Sequence, residues 1–261
     1  MNGSAEHGPY ETIRVRIDGP VGTLQLYRPQ ANNTINELMA EECLHFLTTH
    51  RDSLRVVVLE GLPEVFCFGA DFQAIDDNLS SGTAKGGTPE ALYDTWLQLA
   101  TGPFITIAHV RGKVNAGGVG FVAACDIVVA DEAAVFSLSE LLFGLMPACV
   151  LPFLIRRVGF QRAHYMTLMT QPFTVKQAET WGLVDACEAN SENLLRKHLL
   201  RLRRLSKTGI ERYKRYMNVL NDTLRTQKAD ALAANREVFS DTENLARISR
   251  FVEHGTFPWE N

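Results

Sequence analysis

Residues 104–130 read FITIAHVRGKVNAGGVGFVAACDIVVA, two apolar runs separated by a glycine-rich segment. The outer runs, residues 104–110 and 127–130, have the apolar and β-branched content of buried strands. Between them, residues 117–124 predict a helix that opens on glycines. A strand, a helix and a second strand in this order predict parallel pairing through right-handed crossovers. The stretch therefore predicts an α/β fold.

The sequence upstream predicts elements of the same kind. Residues 12–27 alternate around glycines and a proline, which is typical of a β-hairpin. Residues 36–47 have apolar side chains at helical spacing behind an asparagine that can cap a helix. Residues 55–59 form a continuous run that predicts a strand buried on both faces. Residues 78–89 are small and polar, so we expect a mobile loop there that could act as a lid.

The C-terminal part of the sequence is helical in pattern. Beyond Leu194 the strand signals end, and the chain stays charged and helical to about Val252. We therefore predict a core over residues 1–194 and a helical C-terminal subdomain over residues 195–261. Its first apolar stripe is predicted to contain Leu195, Leu199, Leu202 and Leu205.

Composition limits the classes of protein to consider. Apolar residues make up 46% and charged residues 21%, which is ordinary for a globular protein. No apolar run is long enough to cross a bilayer, and residues 1–6 lack a signal-peptide pattern, so we expect a cytoplasmic protein without a membrane partner. The net charge of -4 argues against a nucleic-acid partner. Five scattered cysteines favour neither disulfides nor a zinc site, and we predict no metal.

Two short segments are candidates for binding a ligand with the backbone. Residues 66–72 include Gly69 and Ala70 directly after a strand, where a ligand can approach the main chain, although a tight turn with Asp71 as a cap explains the same pattern. Residues 115–120 place three glycines in four positions at a helix start, at a cost of about 1 kcal/mol each relative to alanine. That cost indicates a ligand against the backbone or close packing of the helix on a sheet.

Glu140 is the candidate acid or base. It is the only acidic or basic residue between Glu132 and Arg156, and its neighbours are mostly apolar. Burial would raise its pKa and suit it to proton transfer near neutrality. The alternative is a solvent-exposed position on a short helix capped by Ser137 or Ser139.

Taken together, these segments resemble the crotonase (enoyl-CoA hydratase/isomerase) superfamily over essentially the whole chain. The resemblance implies a spiral of ββα units with a helical C-terminal part that builds a trimer, or two stacked trimers. It implies an oxyanion hole made by the amides of Ala70 and Gly117, with Glu140 as the second of two hydratase glutamates. Its marks are Arg28-Pro29, Ala31-Asn32-Asn33, Gly69-Ala70-Asp71, Gly112, Gly117-Gly118, Cys125-Asp126, Glu140 and Trp181-Gly182-Leu183-Val184.

One position departs from the hydratase pattern. Where the resemblance would place the first catalytic glutamate, this chain has Gly120. Two carboxylates therefore cannot hold one water, but a single carboxylate can still serve a syn elimination.

Residues 66–72, 110–118 and 137–144 more narrowly resemble the dehydratases of polyketide β-branching cassettes. That resemblance implies dehydration of 3-hydroxy-3-methylglutaryl on an acyl carrier protein to 3-methylglutaconyl. No cofactor is implied beyond the phosphopantetheine or coenzyme A that carries the substrate. The alternatives are a decarboxylase of a glutaconyl thioester, a short-chain enoyl-CoA hydratase and a catalytically silent scaffold that binds carriers.

Further residues are candidates for binding substrate or partner. Phe68, Gly69, Phe72 and Gly118 flank the predicted oxyanion hole, and Lys113 could meet the far carboxylate of the substrate, unless its side chain is simply solvated. Residues 196–215 contain nine basic residues against Glu211 alone, which suits an acidic carrier protein or the phosphates of coenzyme A. A solvated helix face or salt bridges to a neighbouring subunit explain them equally well.

Overall fold

Two β-sheets organise the part of the chain that the computed structural model describes, residues 10–81 and 89–260. The strands are β1 (Ile13–Asp18), β2 (Val21–Leu26), β3 (Val56–Glu60), β4 (Val65–Cys67), β5 (Ile105–Val110), β6 (Lys113–Asn115), β7 (Ile127–Asp131), β8 (Val135–Ser137), β9 (Phe173–Thr174) and β10 (Ala186–Glu188). A six-stranded sheet has the order β1-β2-β3-β5-β7-β10, and a four-stranded sheet has the order β4-β6-β8-β9. Apart from the antiparallel β1–β2 and β8–β9 pairs, neighbouring strands run parallel.

Helices cover the sheets and form the C-terminal part. The α-helices are α1 (Glu37–Thr49), α2 (Phe72–Ser80), α3 (Glu90–Thr101), α4 (Gly117–Ala124), α5 (Leu151–Val158), α6 (Phe160–Met169), α7 (Val175–Thr180), α8 (Ser191–Leu202), α9 (Lys207–Leu220), α10 (Thr223–Thr226), α11 (Lys228–Ser240) and α12 (Thr242–His254). Pro29–Ala31 and Glu140–Phe143 are 3₁₀ helices. Among the described residues, no helix is both long and apolar enough to span a membrane.

The chain winds through successive turns of similar composition. In each turn a strand enters the large sheet, a three-residue strand enters the small sheet, and a helical segment follows: β3-β4-α2, β5-β6-α4, and β7-β8 with the 3₁₀ helix Glu140–Phe143. Strands β3, β5 and β7 pair in parallel, as do β4, β6 and β8. This confirms the predicted α/β spiral of ββα units.

Several predicted elements are confirmed with their local causes. The hairpin over residues 12–27 is β1 and β2. Helix α1 begins behind Asn36, whose side-chain oxygen accepts a hydrogen bond from the amide of Met39 (3.0 Å). Strand β3 is buried from Val56 to Leu59, as a strand covered on both faces requires.

Two details of the sequence prediction are wrong. Residues 78–80, predicted as loop, belong to α2, because the Gln73 amide donates to Asp77 one turn away and the Ser81 amide closes the last turn on the Asp77 carbonyl (3.0 Å each). The rest of the proposed lid, residues 82–88, lies outside the described residues. Leu205 does not continue the apolar stripe, because α8 ends at Leu202 and the Leu205 side chain is exposed.

The predicted boundary after residue 194 falls inside α8. Leu194 and Leu195 belong to the same buried cluster as Val56, Val58 and Ile107 of the large sheet. The division into a core and a C-terminal subdomain therefore stays a prediction.

Candidate active site

The turn Gly69-Ala70-Asp71 is fixed by residues that follow β2. Asn33 is fully buried, and its side-chain amide donates to the carbonyls of Leu26 (2.9 Å) and Phe66 (3.1 Å). Arg28 forms an ion pair with Asp71 (Nη1 to Oδ2, 2.8 Å), while Asp71 caps α2 by accepting from the Ala74 amide (3.1 Å). The cap predicted for Asp71 is therefore present. The conformation of the turn is set by contacts from several segments.

The same turn touches the start of α4. Gly69 has a positive φ of +91°, and a Cβ placed on it would lie 2.7 Å from the Cβ of Ala116 and 3.5 Å from the amide nitrogen of Gly117. A Cβ on Gly118 would lie 2.5 Å from the carbonyl oxygen of Cys67. Both glycines are needed because the backbones approach this closely.

The backbone amides of Ala70 and Gly117 are the two predicted oxyanion-hole donors. The Ile35 amide donates to the Gly69 carbonyl (2.7 Å), and the Asp71 amide donates to the Ile35 carbonyl (3.2 Å). Because successive N–H groups of an extended segment alternate in direction, the Ala70 amide points away from Ile35. Gly117 is the first residue of α4, where an amide has no acceptor inside the helix. Within the described ranges neither amide has a hydrogen-bond acceptor.

Glu140 begins a short turn that is held at both ends. On one side, the Asn115 side chain donates to Ser139 Oγ (3.0 Å) and accepts from Ser137 Oγ (2.8 Å). On the other, Gly144 ends the 3₁₀ helix with a φ of +77°, and the Leu145 amide donates to the Glu140 carbonyl (3.1 Å). The backbone that carries the Glu140 side chain is therefore strongly constrained.

The carboxyl group of Glu140 is in an environment that favours its neutral form. Its Oε2 atom is buried and has no hydrogen-bond partner among the described residues, although the residue as a whole keeps some exposed surface. Burial raises the pKa of Glu140 to about 7, and the amides of Glu140 and Ser139 oppose this shift only in part. Such a group can take up and release a proton near neutrality.

The other predicted binding residues are distributed around this centre. Phe68 is 44% exposed beside the Gly69 turn, and Phe72 packs edge-on against Phe143 next to Glu140, with ring centroids 5.1 Å apart. Lys113 is exposed on β6, on the same strand face as Asn115. No ion pair of Lys113 is found within the described ranges.

Three residues near the site were not singled out from the sequence. Asn115 links β6 to the Glu140 turn, Trp96 lies behind the glycines of α4, and Asn244 of α12 donates to the Gly144 carbonyl (3.1 Å). The polar Asn115 at the end of a strand, just before the glycines, was a usable signal. The contacts of Trp96 and Asn244 join distant parts of the chain, and no local sequence pattern predicts them.

One group of possible metal ligands was also found among the described residues. Its ligand atoms lie within 4.8 Å of one another and belong to Glu60, His109 and Glu192. His109 is fully buried. Its Nδ1 bonds Glu60 (2.9 Å) and its Nε2 bonds Ser191 (3.0 Å), while Arg111 pairs with Glu192 (3.3 Å). These contacts occupy both ring nitrogens, and we assign the group a structural role.

Comparison with known proteins identifies a family that matches this chain and proteins that are similar to it. The profile of the enoyl-CoA hydratase/isomerase family matches residues 16–261. Bacillaene synthase dehydratase PksH of Bacillus subtilis is 59% identical over 253 residues, which cover 97% of this chain and 98% of that protein. The mevalonyl-coenzyme A hydratase sidH of Aspergillus fumigatus is 36% identical over 165 residues, 62% of this chain and 60% of that protein.

A solved structure is also similar to this chain over nearly its whole length. The crystal structure of a polyketide biosynthesis enoyl-CoA hydratase (pksH) from Bacillus subtilis superposes with a TM-score of 0.93 at 59% identity. The match covers 95% of this chain and 100% of that one. The similarity therefore includes the C-terminal helices as well as the sheets.

Proposed function

The chain belongs to the enoyl-CoA hydratase/isomerase family, and from that premise we propose that it removes water from a 3-hydroxyacyl thioester. The observation that carries the proposal is the Glu140 carboxyl group, whose Oε2 is buried without a partner within the described ranges. It is further supported by the Bacillus subtilis relative, whose name describes it as a dehydratase. A lyase acting in polyketide biosynthesis is the function that best accounts for both.

The first requirement of this reaction is stabilisation of an enolate. The α-proton of a thioester is only weakly acidic, so negative charge has to be stabilised on the carbonyl oxygen as the proton leaves. The amides of Ala70 and Gly117 are the proposed donors, each contributing about 3 kcal/mol, as single oxyanion-hole donors do in other enzymes. Their fixed positions mean that little reorganisation is needed during the reaction.

Glu140 is the proposed base and then the proposed acid. Its carboxylate takes the α-proton, and the electron pair of the C–H bond forms the enolate. When the enolate collapses to the double bond, the C–O bond at the β-carbon breaks and the leaving hydroxyl takes the proton from Glu140 to form water. A pKa of about 7 suits both half-steps, because neither the acid nor the base form is strongly disfavoured near neutrality.

The proposed substrate is 3-hydroxy-3-methylglutaryl carried on the phosphopantetheine of an acyl carrier protein, and the product is 3-methylglutaconyl thioester. Two relatives support this choice, since one is named a dehydratase of bacillaene synthase and the other a mevalonyl-coenzyme A hydratase. Mevalonyl, like 3-hydroxy-3-methylglutaryl, has a hydroxyl and a methyl group on the same β-carbon. The proposal needs no redox or metal cofactor, because the steps are proton transfers and a C–O cleavage.

The proposal is tested by incubating the protein with 3-hydroxy-3-methylglutaryl on a carrier protein and on coenzyme A, with crotonyl-CoA for comparison. We expect loss of water detected by mass, and a fall in turnover of about 10²–10⁴-fold for Glu140→Gln. The matched control is Glu132→Gln, which removes the charge of an exposed glutamate nearby in the sequence. Loss of carbon dioxide instead of water would favour a decarboxylase, and equal turnover with Glu140→Gln would exclude the mechanism.

The pH dependence offers a second test of the same role. Because Glu140 has to be ionised to accept the α-proton, kcat/KM for dehydration should fall as pH drops below about 7. If kcat/KM instead fell only near the ordinary pKa of a glutamate, the reacting base would not be the buried carboxyl group of Glu140.

An acidic carrier protein is the proposed partner, and its proposed docking site is the exposed end of α8. Four of the nine basic residues in the run 196–215 are already engaged: Lys197 with Glu188, Arg203 with Asp18, Lys214 with Asp126, and Lys207 with three backbone carbonyls. Arg201 and Arg204 are exposed and have no acidic partner in the described part of the chain, so they remain available to a carrier.

Charge reversal separates docking from catalysis. Arg201→Glu with Arg204→Glu should raise KM for the carrier-borne substrate about ten-fold and leave KM for the coenzyme A thioester unchanged. Arg203→Glu is the matched control, since its guanidinium is already paired with Asp18. Equal KM changes for the two carriers, or none, would remove this docking site from the proposal.

The proposed assembly is a homotrimer or a dimer of trimers in the cytoplasm. Helix α9 supports self-association, because several of its large apolar side chains are exposed in the described structure: Tyr213, Tyr216, Met217, Val219 and Leu220. Clusters of this kind usually mark interaction surfaces.

A further inference from the structure

The side chain of Trp96 packs against the first turn of α4. A Cβ built on Gly120 would lie 2.6 Å from Cζ2 and 2.7 Å from Cη2 of the Trp96 indole. A Cβ on Gly117 would lie 4.0 Å from the same Cζ2. Gly117 and Gly120 are one turn apart on one face of the helix, so the indole edge contacts the face that begins at the proposed oxyanion hole.

Trp96 cannot easily move out of this position. It is 1% exposed, and its ring packs edge-on against Phe121 and Phe153, with centroids 5.7 Å away in both cases. The adjacent Thr95 hydroxyl is within 2.9 Å of the Ala40 carbonyl, a contact between α3 and α1. A side chain at position 120 would therefore collide with a fixed ring.

The indole is retained here at an energetic cost. Its Nε1 is buried and has no hydrogen-bond partner in the described part of the chain. A buried donor without an acceptor is destabilising, and a smaller apolar side chain at position 96 would avoid that penalty. The advantage of tryptophan at position 96 is therefore the size of its ring.

We propose that Trp96 determines the specificity of the site by acting through Gly120. The indole fills the space that any side chain at position 120 would need, so α4 presents a neutral surface and adds no second carboxylate beside Glu140. The inference rests on the proposed function, because a 3-hydroxy-3-methylglutaryl substrate brings a carboxylate of its own. A second glutamate on α4 would add a like charge to a site that has to admit this anion.

The steric part is tested by a rescue experiment. Gly120→Ala should lower dehydration by about ten-fold or more, because the added methyl group meets the indole. Adding Trp96→Phe removes the ring edge that contains Cζ2 and Cη2. Measured against Trp96→Phe alone, the double variant should recover most of the activity that Gly120→Ala loses. Gly118→Ala is the matched control, since its Cβ would meet the Cys67 carbonyl and not Trp96. Absence of rescue, or equal rescue of Gly118→Ala, would overturn the proposal.

The charge part is tested with paired double variants, Trp96→Leu/Gly120→Glu and Trp96→Leu/Gly120→Gln. The glutamate variant should show a ratio of crotonyl-CoA hydration to 3-hydroxy-3-methylglutaryl dehydration about ten-fold above that of the glutamine variant. Equal ratios would refute the role of charge, and if neither variant folds, the alanine rescue decides alone. A wild-type protein that is inactive on 3-hydroxy-3-methylglutaryl thioesters would instead refute the proposed function.

Discussion

At the scale of single residues, the main feature is a carboxyl oxygen, Oε2 of Glu140, that is buried without a hydrogen-bond partner among the described residues. An ordinary surface glutamate is ionised at neutral pH, but burial raises the pKa of Glu140 to about 7. Ionising this residue in the folded protein therefore costs more than ionising it in the unfolded chain. The same property that fits Glu140 for proton transfer should make the protein less stable at alkaline pH.

The first prediction concerns that stability. The folded-state pKa lies above the ordinary value of 4.5, so the stabilising contribution is complete below about pH 4.5 and is lost as pH rises through about 7. Glu140→Gln has no such titration. At pH 8 it should be more stable than the wild type by at most about 3 kcal/mol, and the difference should shrink towards pH 5.

Urea denaturation of both proteins at pH 5 and pH 8 measures this difference. Glu132→Gln, at an exposed position, should show no such pH-dependent gain. A Glu140→Gln protein that is less stable than the wild type at pH 8 would contradict the burial described for this carboxyl group.

The second prediction concerns Lys113. This exposed lysine lies on the face of β6 that also carries Asn115, the residue that holds the Glu140 turn. If it binds the far carboxylate of the substrate, Lys113→Ala should raise KM for 3-hydroxy-3-methylglutaryl thioesters about ten-fold and leave KM for crotonyl-CoA unchanged. Lys197→Ala, which removes a lysine paired with Glu188, is the control. Unchanged turnover and KM on both substrates would show that the Lys113 side chain is only solvated.

At the scale of elements, α12 packs against the turn that carries Glu140. Asn244 is buried and donates to the carbonyls of Gly144 and Val238 (3.1 Å each). Ile248, one turn further on, packs with Phe143 and Leu145. The C-terminal helix is therefore part of the structure that positions Glu140, although it lies about a hundred residues away in the sequence.

The third prediction follows from this contact. Asn244→Ala removes the donor to the Gly144 carbonyl and should lower kcat by about ten-fold or more, with a smaller change in KM, because the Glu140 turn is less well held. Ile248→Val, on the same helix, should cost about 1 kcal/mol of stability and leave kcat nearly unchanged. The two variants are compared by steady-state kinetics and thermal unfolding. Parallel losses of kcat in both would mean that α12 supports the fold without orienting the turn.

Local patterns in the sequence predicted the larger elements well. Helix α4 has the predicted bounds, residues 117–124, since glycines open it and a new strand follows. The small sheet was not predicted, because strands of two or three residues such as β4 and β9 are too short to show alternation. Residues 78–80, the end of α2, were predicted as loop, because a polar surface helix and a loop have similar composition there.

The site was partly predictable for the same reason. The Gly69-Ala70 turn, the glycines of α4 and Glu140 each follow a strand in the sequence, and parallel strands bring their carboxyl ends to the same edge. Contacts between distant segments were not visible. Trp96 against Gly120 and Asn244 against Gly144 depend on tertiary packing that no window of the sequence contains.

At the scale of the whole molecule, charge and apolar surface are unevenly distributed. The net charge of -4 averages over a basic C-terminal stretch, in which Lys197, Arg203, Lys207 and Lys214 are paired with acidic residues or carbonyls elsewhere in the chain. Among the exposed groups that remain are Arg201 and Arg204 at the end of α8, Arg212 and Arg215 on α9, and the apolar surface of α9. Arg201 and Arg204 form the surface proposed for a carrier protein, and the apolar side chains of α9 form the surface proposed for a second copy of this chain.

The fourth prediction separates these two surfaces. Val219 and Leu220 are 75% and 61% exposed on α9, so Val219→Asp with Leu220→Asp should convert a trimer or hexamer to monomers and lower the unfolding temperature. Light scattering after size-exclusion chromatography measures the mass, and Thr208→Asp, a polar exposed position on α9, is the control. KM for carrier-borne substrate should change far less than with the α8 arginine variants. An unchanged mass would place the contact between copies on another face, and a monomeric wild type would refute self-association itself.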